Sequence, residues 1–131
     1  MSFDTLRQDI EQRMATNWAQ SAPVAYENLP FVPPSGPWVR FTAVNGAGIT
    51  AGLGGSGAAM EVLDTGMVSL QVFTQEGKGS KIARQLIDAF VAIFEHQAFN
   101  GITTYSTTVT PAGTNNGWYQ VNATIPFRRF R

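Results

Sequence analysis

From residue 80 onward, Ile82, Leu86, Ile87, Phe90, Ile93 and Phe94 recur at helical spacing and make one broad apolar stripe. A stripe this wide must be buried against a second layer, and Ala83 and Ala89 let that layer come close. The rest of the chain supplies the layer. Tyr119, Val121, Ala123, Ile125 and Phe127 alternate with Gln120, Asn122, Thr124 and Pro126, the period of a strand with one buried face. Val68, Leu70 and Val72 alternate in the same way with Ser69, Gln71 and Phe73. Helices on a sheet are therefore the architecture to expect.

The remaining segments fit this plan. Residues 2–19 read as an amphipathic helix, with Phe3, Leu6, Ile10, Met14 and Trp18 on one face and Arg7, Asp9, Gln12 and Arg13 on the other; Ser2 or Asp4 is the expected cap. Residues 24–27 suit a short strand. Pro30, Pro33, Pro34 and Pro37 then make 31–37 a rigid, non-helical crossing. A strand is expected at 38–44. Residues 45–59, with Gly46, Gly48, Gly52, Gly54, Gly55 and Gly57, read as a flexible loop or hairpin arm. Residues 60–63 and 67–74 read as strand, with a turn or bulge at Asp64-Thr65-Gly66. Residues 75–79 turn the chain, Ser80 is the expected cap of the second helix, and Asn100-Gly101 is expected to end it near 99. Two strands, 102–110 and 118–127, are joined by turn residues at 111–117, and Pro126 suggests a sheet edge or strand end. The expectation is one α+β domain over 1–131: a mostly antiparallel or mixed sheet of about five strands, with two amphipathic helices packed on one face.

Composition narrows the function classes. The chain has no cysteine, so disulfides and thiolate metal sites are excluded and stability must come from packing. Nine basic and nine acidic side chains cancel, which gives no strong field for nucleic acid or anionic lipid. Charged residues are 14% of the chain, against roughly 25% in an average globular domain. Much of the surface must then be uncharged, and such surfaces self-associate readily. No apolar stretch approaches the roughly 20 residues of a membrane span, and the N-terminus lacks the pattern of a signal peptide.

The motifs that resemble chemistry read better as structure. Gly52-Leu53-Gly54-Gly55-Ser56-Gly57 matches a dinucleotide fingerprint, but that fingerprint needs a helix directly after it, and residues 60–64 favour a strand. Gly77-Lys78-Gly79-Ser80-Lys81 lacks the upstream glycine and the Mg²⁺-binding hydroxyl position of a phosphate loop, and reads as a turn before a helix. His96, beside Glu95 near the end of the second helix, has no second His or Cys with which to hold a metal. The ending Phe127-Arg128-Arg129-Phe130-Arg131 interleaves cations with aromatics and suits a solvated terminus or a subunit contact. No catalytic residue, cofactor or metal site is expected.

The stretch Ala25-Tyr26-Glu27-Asn28-Leu29-Pro30-Phe31-Val32-Pro33-Pro34-Ser35-Gly36-Pro37-Trp38-Val39-Arg40, the block Asn116-Gly117-Trp118-Tyr119-Gln120-Val121 and the later Ile125-Pro126-Phe127 carry a family pattern. With the helix and strand order they resemble, over nearly the whole chain, the tail-terminator (minor tail protein U-like) family of long-tailed bacteriophages. The resemblance implies a non-enzymatic virion protein that forms a hexameric ring on the head-proximal end of the tail, assembled in the host cytoplasm. Its implied partners are copies of itself, the major tail tube protein and a head-side connector, with no membrane and no sequence-specific nucleic acid. Candidate interface residues are Trp38, Trp118, Arg128, Arg129, Gly52 and Gly54, with Trp38 or Trp118 expected exposed near a subunit contact. The alternatives are another head–tail connector or tail-completion protein, or a small nucleotide- or ligand-binding domain using the Gly-rich loop.

Overall fold

A computed structural model describes residues 3–53 and 60–130. In chain order it runs α1 (Phe3–Asn17), β1 (Val24–Tyr26), β2 (Trp38–Leu53), β3 (Met60–Gln75), α2 (Lys81–Phe94), β4 (Ala98–Phe99), β5 (Ile102–Thr104), β6 (Thr108–Asn115) and β7 (Trp118–Phe130). The strands form one seven-stranded sheet in the order β1-β2-β3-β7-β5-β4, with β6 also paired to β7. The β1–β2 pair is parallel and every other pair is antiparallel, so the α+β sheet is mixed and has more strands than the five expected.

The alternation read from the sequence sorts the two sheet faces. Across the ladders Phe41 stands opposite Leu70 and Leu70 opposite Ala123; Val39, Val72 and Val121 line up in the next buried row. These side chains are buried against Leu6, Ile10 and Met14 of α1 and against Leu86, Phe90 and Phe94 of α2 in one core. Phe41 meets Phe94 at 5.5 Å and Phe90 at 6.4 Å between ring centroids. Each such large apolar side chain contributes about 1.5–3 kcal/mol by leaving water. Polar contacts fix how the layers sit. Arg13 Nε donates to the Ile93 carbonyl at 2.9 Å, and its guanidinium lies 4.4 Å over the Phe99 ring. Arg129 at the end of β7 donates to the Asp9 carboxylate of α1 at 2.9 Å.

Several local expectations are corrected. The second helix stops at Phe94 rather than near 99, because Glu95 is extended and His96 takes φ 51°. Asn100 and Gly101, both at positive φ, make the tight turn between β4 and β5 instead of ending a helix. Ser80 does stand at the N-cap of α2, but it makes no side-chain cap bond. Asp4 lies inside α1, Phe3 is exposed rather than part of its buried face, and Ile82 is exposed rather than part of the buried stripe of α2. The span 60–75 is one strand, and the irregularity near Asp64-Thr65-Gly66 is a bulge at 45–48 of β2. The span 102–110 splits into β5 and β6, and β6 continues through residues expected to turn. Only Asn116-Gly117, at φ 53° and 83°, forms the hairpin turn to β7.

Pro126 lies inside β7, not at a sheet edge, and the reason is local. Tyr105 donates its N–H to the Pro126 carbonyl at 3.0 Å, but proline has no N–H to return. The Tyr105 carbonyl accepts the His96 N–H at 3.4 Å instead. The proline therefore sits where the outer neighbour of β7 changes from β5 to β6. Residues 45–53 and 60–66 pair as strands of a hairpin, with Gly46, Gly48 and Gly52 in or beside its ladder. Residues 54–59, with Gly54, lie outside the described residues.

Candidate assembly surface

Strand alternation that buries one sheet face must present the other. The helix-free face carries Arg40, Thr42 and Val44 from β2 and Phe73, Gln71, Ser69 and Met67 from β3. It continues with Gln120, Asn122, Thr124, Pro126 and Arg128 from β7 and Thr108 and Thr110 from β6. The ladders place these side chains in rows: Arg40, Gln71, Asn122 and Thr110 in one, Thr42, Ser69, Thr124 and Thr108 in the next. The middle of the face is thus a band of amides and hydroxyls, groups that give up water at less cost than ions do.

Each end of the band is apolar and each is topped by a guanidinium. At one end Trp38 stacks on Phe73 at 4.2 Å and 12°, with Phe31 at 5.1 Å and the edge of Trp118 at 6.1 Å. Arg40 lies 5.5 Å from the Trp38 ring and 5.8 Å from Phe73, distances at which a cation is attracted to the ring face. Trp38, Arg40, Phe73 and Trp118 wall a cleft of about 510 Å³. At the other end Val44 (55% exposed), Met67 (46% exposed) and Pro126 stand in one row beside a cleft of about 540 Å³. Arg128 lies 5.7 Å over the Tyr105 ring there. Exposed large apolar side chains rimmed by polar groups are the usual signature of a protein contact.

The candidate residues from the sequence divide. Trp38 is 4% exposed, so the expectation of an exposed indole at this position is corrected: its ring is the floor of the aromatic cluster. Trp118 is half-buried at the rim of the same cluster. Arg128 is exposed on the helix-free face. Arg129 is 4% exposed and paired inside the molecule, so it is neither solvated nor a free contact residue. Gly52 pairs with Glu61 in the hairpin, and Gly54 lies outside the described residues. Arg40, Phe73, Val44 and Met67 were not singled out by the sequence. The alternation of β3 had already sent Phe73 away from the core, and that was the signal for it.

The groups that the sequence offered for chemistry hold the fold. His96 Nε2 and Ser106 Oγ are hydrogen-bonded at 2.9 Å. The Glu95 carboxylate accepts the Thr107 N–H at 2.9 Å, and hydrogen bonding from Thr107 holds the Glu95 pKa below its ordinary value. Thr104 Oγ1 donates to the Phe94 carbonyl and accepts from the Gln97 N–H. Together these bonds tie the exit of α2 to the β5–β6 junction. After the Gly-rich stretch the chain enters β3, not the helix that a dinucleotide site requires. Among the described residues no cluster of His, Asp and Glu could hold a metal ion, and no helix is long and apolar enough to cross a membrane.

Comparison with known proteins follows the same line. A family model described as "Phage tail terminator protein" matches residues 5–127. A solved structure 23% identical in sequence has the same fold, with a TM-score of 0.70 over 98% of this chain and 96% of that one. No curated protein matches the sequence.

Proposed function

This chain belongs to the phage tail terminator family, and on that premise we propose that it forms a ring on the head-proximal end of the tail tube, where it ends tube polymerisation and offers the surface that the head joins. The coarse role, a structural part of phage tail assembly, follows from the family. The finer reading is supported by one observation above others, the helix-free sheet face. That face is polar and uncharged apart from Arg40 and Arg128, and exposed Val44 and Met67 lie at one end and an aromatic cluster at the other. A face of this kind excludes water well once covered and costs little to desolvate. A ring needs two complementary surfaces on one chain, related by a rotation that closes. The partners of the proposal are other copies of the chain, the tube protein and a head-side connector, in a virion assembled in the host cytoplasm.

The test is direct. Purified chain, imaged by negative stain alone and after mixing with polymerising tube protein, should give rings, and tubes capped at one end should stop growing there. Tubes that elongate at both ends in the presence of an excess of the chain would contradict the proposal.

A further inference from the structure

The two lateral edges of the sheet differ from the edges of most monomeric proteins. β1 pairs with only three residues of β2, opposite Val39, Arg40 and Phe41. After Tyr26 the chain turns away, and among the described residues no strand lies on the flank of β2 away from β3 from Thr42 onward. The vacated place is a cleft of about 450 Å³ between β2 and the start of α1, lined by Phe3, Arg7, Glu27, Thr42, Val44 and Asn45. On the opposite side β6 has β7 on one flank and no strand on the other, and all but Val109 of its residues are exposed. Natural sheets guard such edges with charges. Here β2 itself has no charged residue after Arg40, and β6 contains none; the charges near the β2 edge, Asp4, Arg7 and Glu27, rim the cleft, with Arg7 paired to Asp4. Pro111 is the one guard on β6; it leaves residues 108–110 as the pairable stretch ahead of the bulge between Pro111 and Gly113.

The two edges also match in direction. β2, β3, β7 and β6 are successively antiparallel, so β6 runs opposite to β2. Under rotation about an axis to which the strands are tilted, the β6 edge of one copy arrives beside the β2 edge of the next as a staggered antiparallel neighbour, and the same operation repeats around a ring. Placing residues 108–110 against 42–45, rather than against 40–42 at their own height, needs a stagger of about two residues per subunit, of the kind that closed sheets impose. We propose that the β2 edge from Thr42, with the cleft beside it, receives residues 108–110 of β6 from a second copy of this chain, so that the sheet runs on from subunit to subunit. This rests on the ring reading and specifies which surfaces meet in it. Backbone hydrogen bonds supply the contact, as in other cases of strand addition.

The absence of cysteine from the chain makes the test clean. Two double variants, Val44→Cys with Thr108→Cys and Val44→Cys with Thr110→Cys, put one thiol on each edge and on the same sheet face. Within one chain these positions are three strand spacings apart, roughly 14 Å, too far for a disulfide. Air oxidation should therefore give a ladder of linked chains on a non-reducing gel in at least one double variant. A control pairing Thr110→Cys with Arg84→Cys, an exposed position on α2, should stop at dimers. Hydrogen exchange of the unmodified protein supplies a measurement that no variant can compromise: amides of 42–46 and 108–110 should gain protection on assembly. Rings with no ladder and no protection at these edges would overturn the edge pairing and leave the ring standing. No rings, with or without tube protein, and no ladder would remove both. Protection of 42–46 only when tube protein is added, still with no ladder, would overturn the pairing by assigning the edge to the tube.

Discussion

Gly66 shows how a single residue fixes the path of the sheet. A Cβ at this position would lie 2.2 Å from the Val44 carbonyl oxygen and 2.7 Å from the Phe127 ring. The first neighbour is backbone and cannot swing aside. Gly66→Ala should therefore destabilise the protein by about 1–3 kcal/mol, the range for forced overpacking, read as a lower urea midpoint with an unchanged slope. An unchanged midpoint would mean that the bulge in β2 is softer than its geometry implies. Arg129 carries the opposite lesson. As one of three arginines at the end of the sequence it looks solvated, yet it is buried against Asp9, 120 residues earlier. Asp64 stands opposite it in the β3–β7 ladder. A contact between residues so far apart in the sequence leaves no trace in local composition.

At the scale of elements, the β5–β6 junction is held by the residues that follow α2. Glu95 is central to it through its bond to the Thr107 N–H. Because hydrogen bonding lowers its pKa from 4.5, the carboxylate's contribution is present above that value and is lost as pH falls through the lower folded-state value. Glu95→Gln keeps an oxygen for Thr107 but removes the titration. The thermal midpoint of the natural protein should thus fall relative to the variant as pH drops below 4.5; the gap should be small, since the group is only half-buried and solvent screens it. Parallel midpoints across that range would remove Glu95 from the account.

This junction also marks where the sequence stopped being legible. The helix stripe, the alternation of 67–74 and 118–127 and the Asn-Gly turn chemistry are local signals, and they placed both helices and the core strands. The end of α2 was misplaced because residues 95–99 are compatible with helix by propensity and are pulled out by contacts with Thr104, Tyr105 and Thr107. Pro126 was misplaced because its missing donor is compensated by His96, some thirty residues away in the chain. The assembly face was half legible: alternation named its side chains, but only the ladder registers show that Arg40, Gln71, Asn122 and Thr110 share a row.

For the whole molecule, the division of labour is between two faces of one sheet. One face is covered by α1 and α2 and makes the core; the other is left bare, with little charge and exposed apolar groups. A tail terminator needs surface for other subunits more than it needs a pocket, and the proposal assigns the bare face to that use. The measurement that bears on this most directly is tail length in lysates of a phage lacking the gene, complemented with variants of equal exposure on different faces. Met67→Asp charges the bare face, and Ile82→Asp charges the outer side of α2, the two positions being 46% and 45% exposed. The account predicts normal tails with Ile82→Asp and overlong, headless tails with Met67→Asp, both proteins being folded. Normal tails with Met67→Asp, or overlong tails with Ile82→Asp alone, would contradict it.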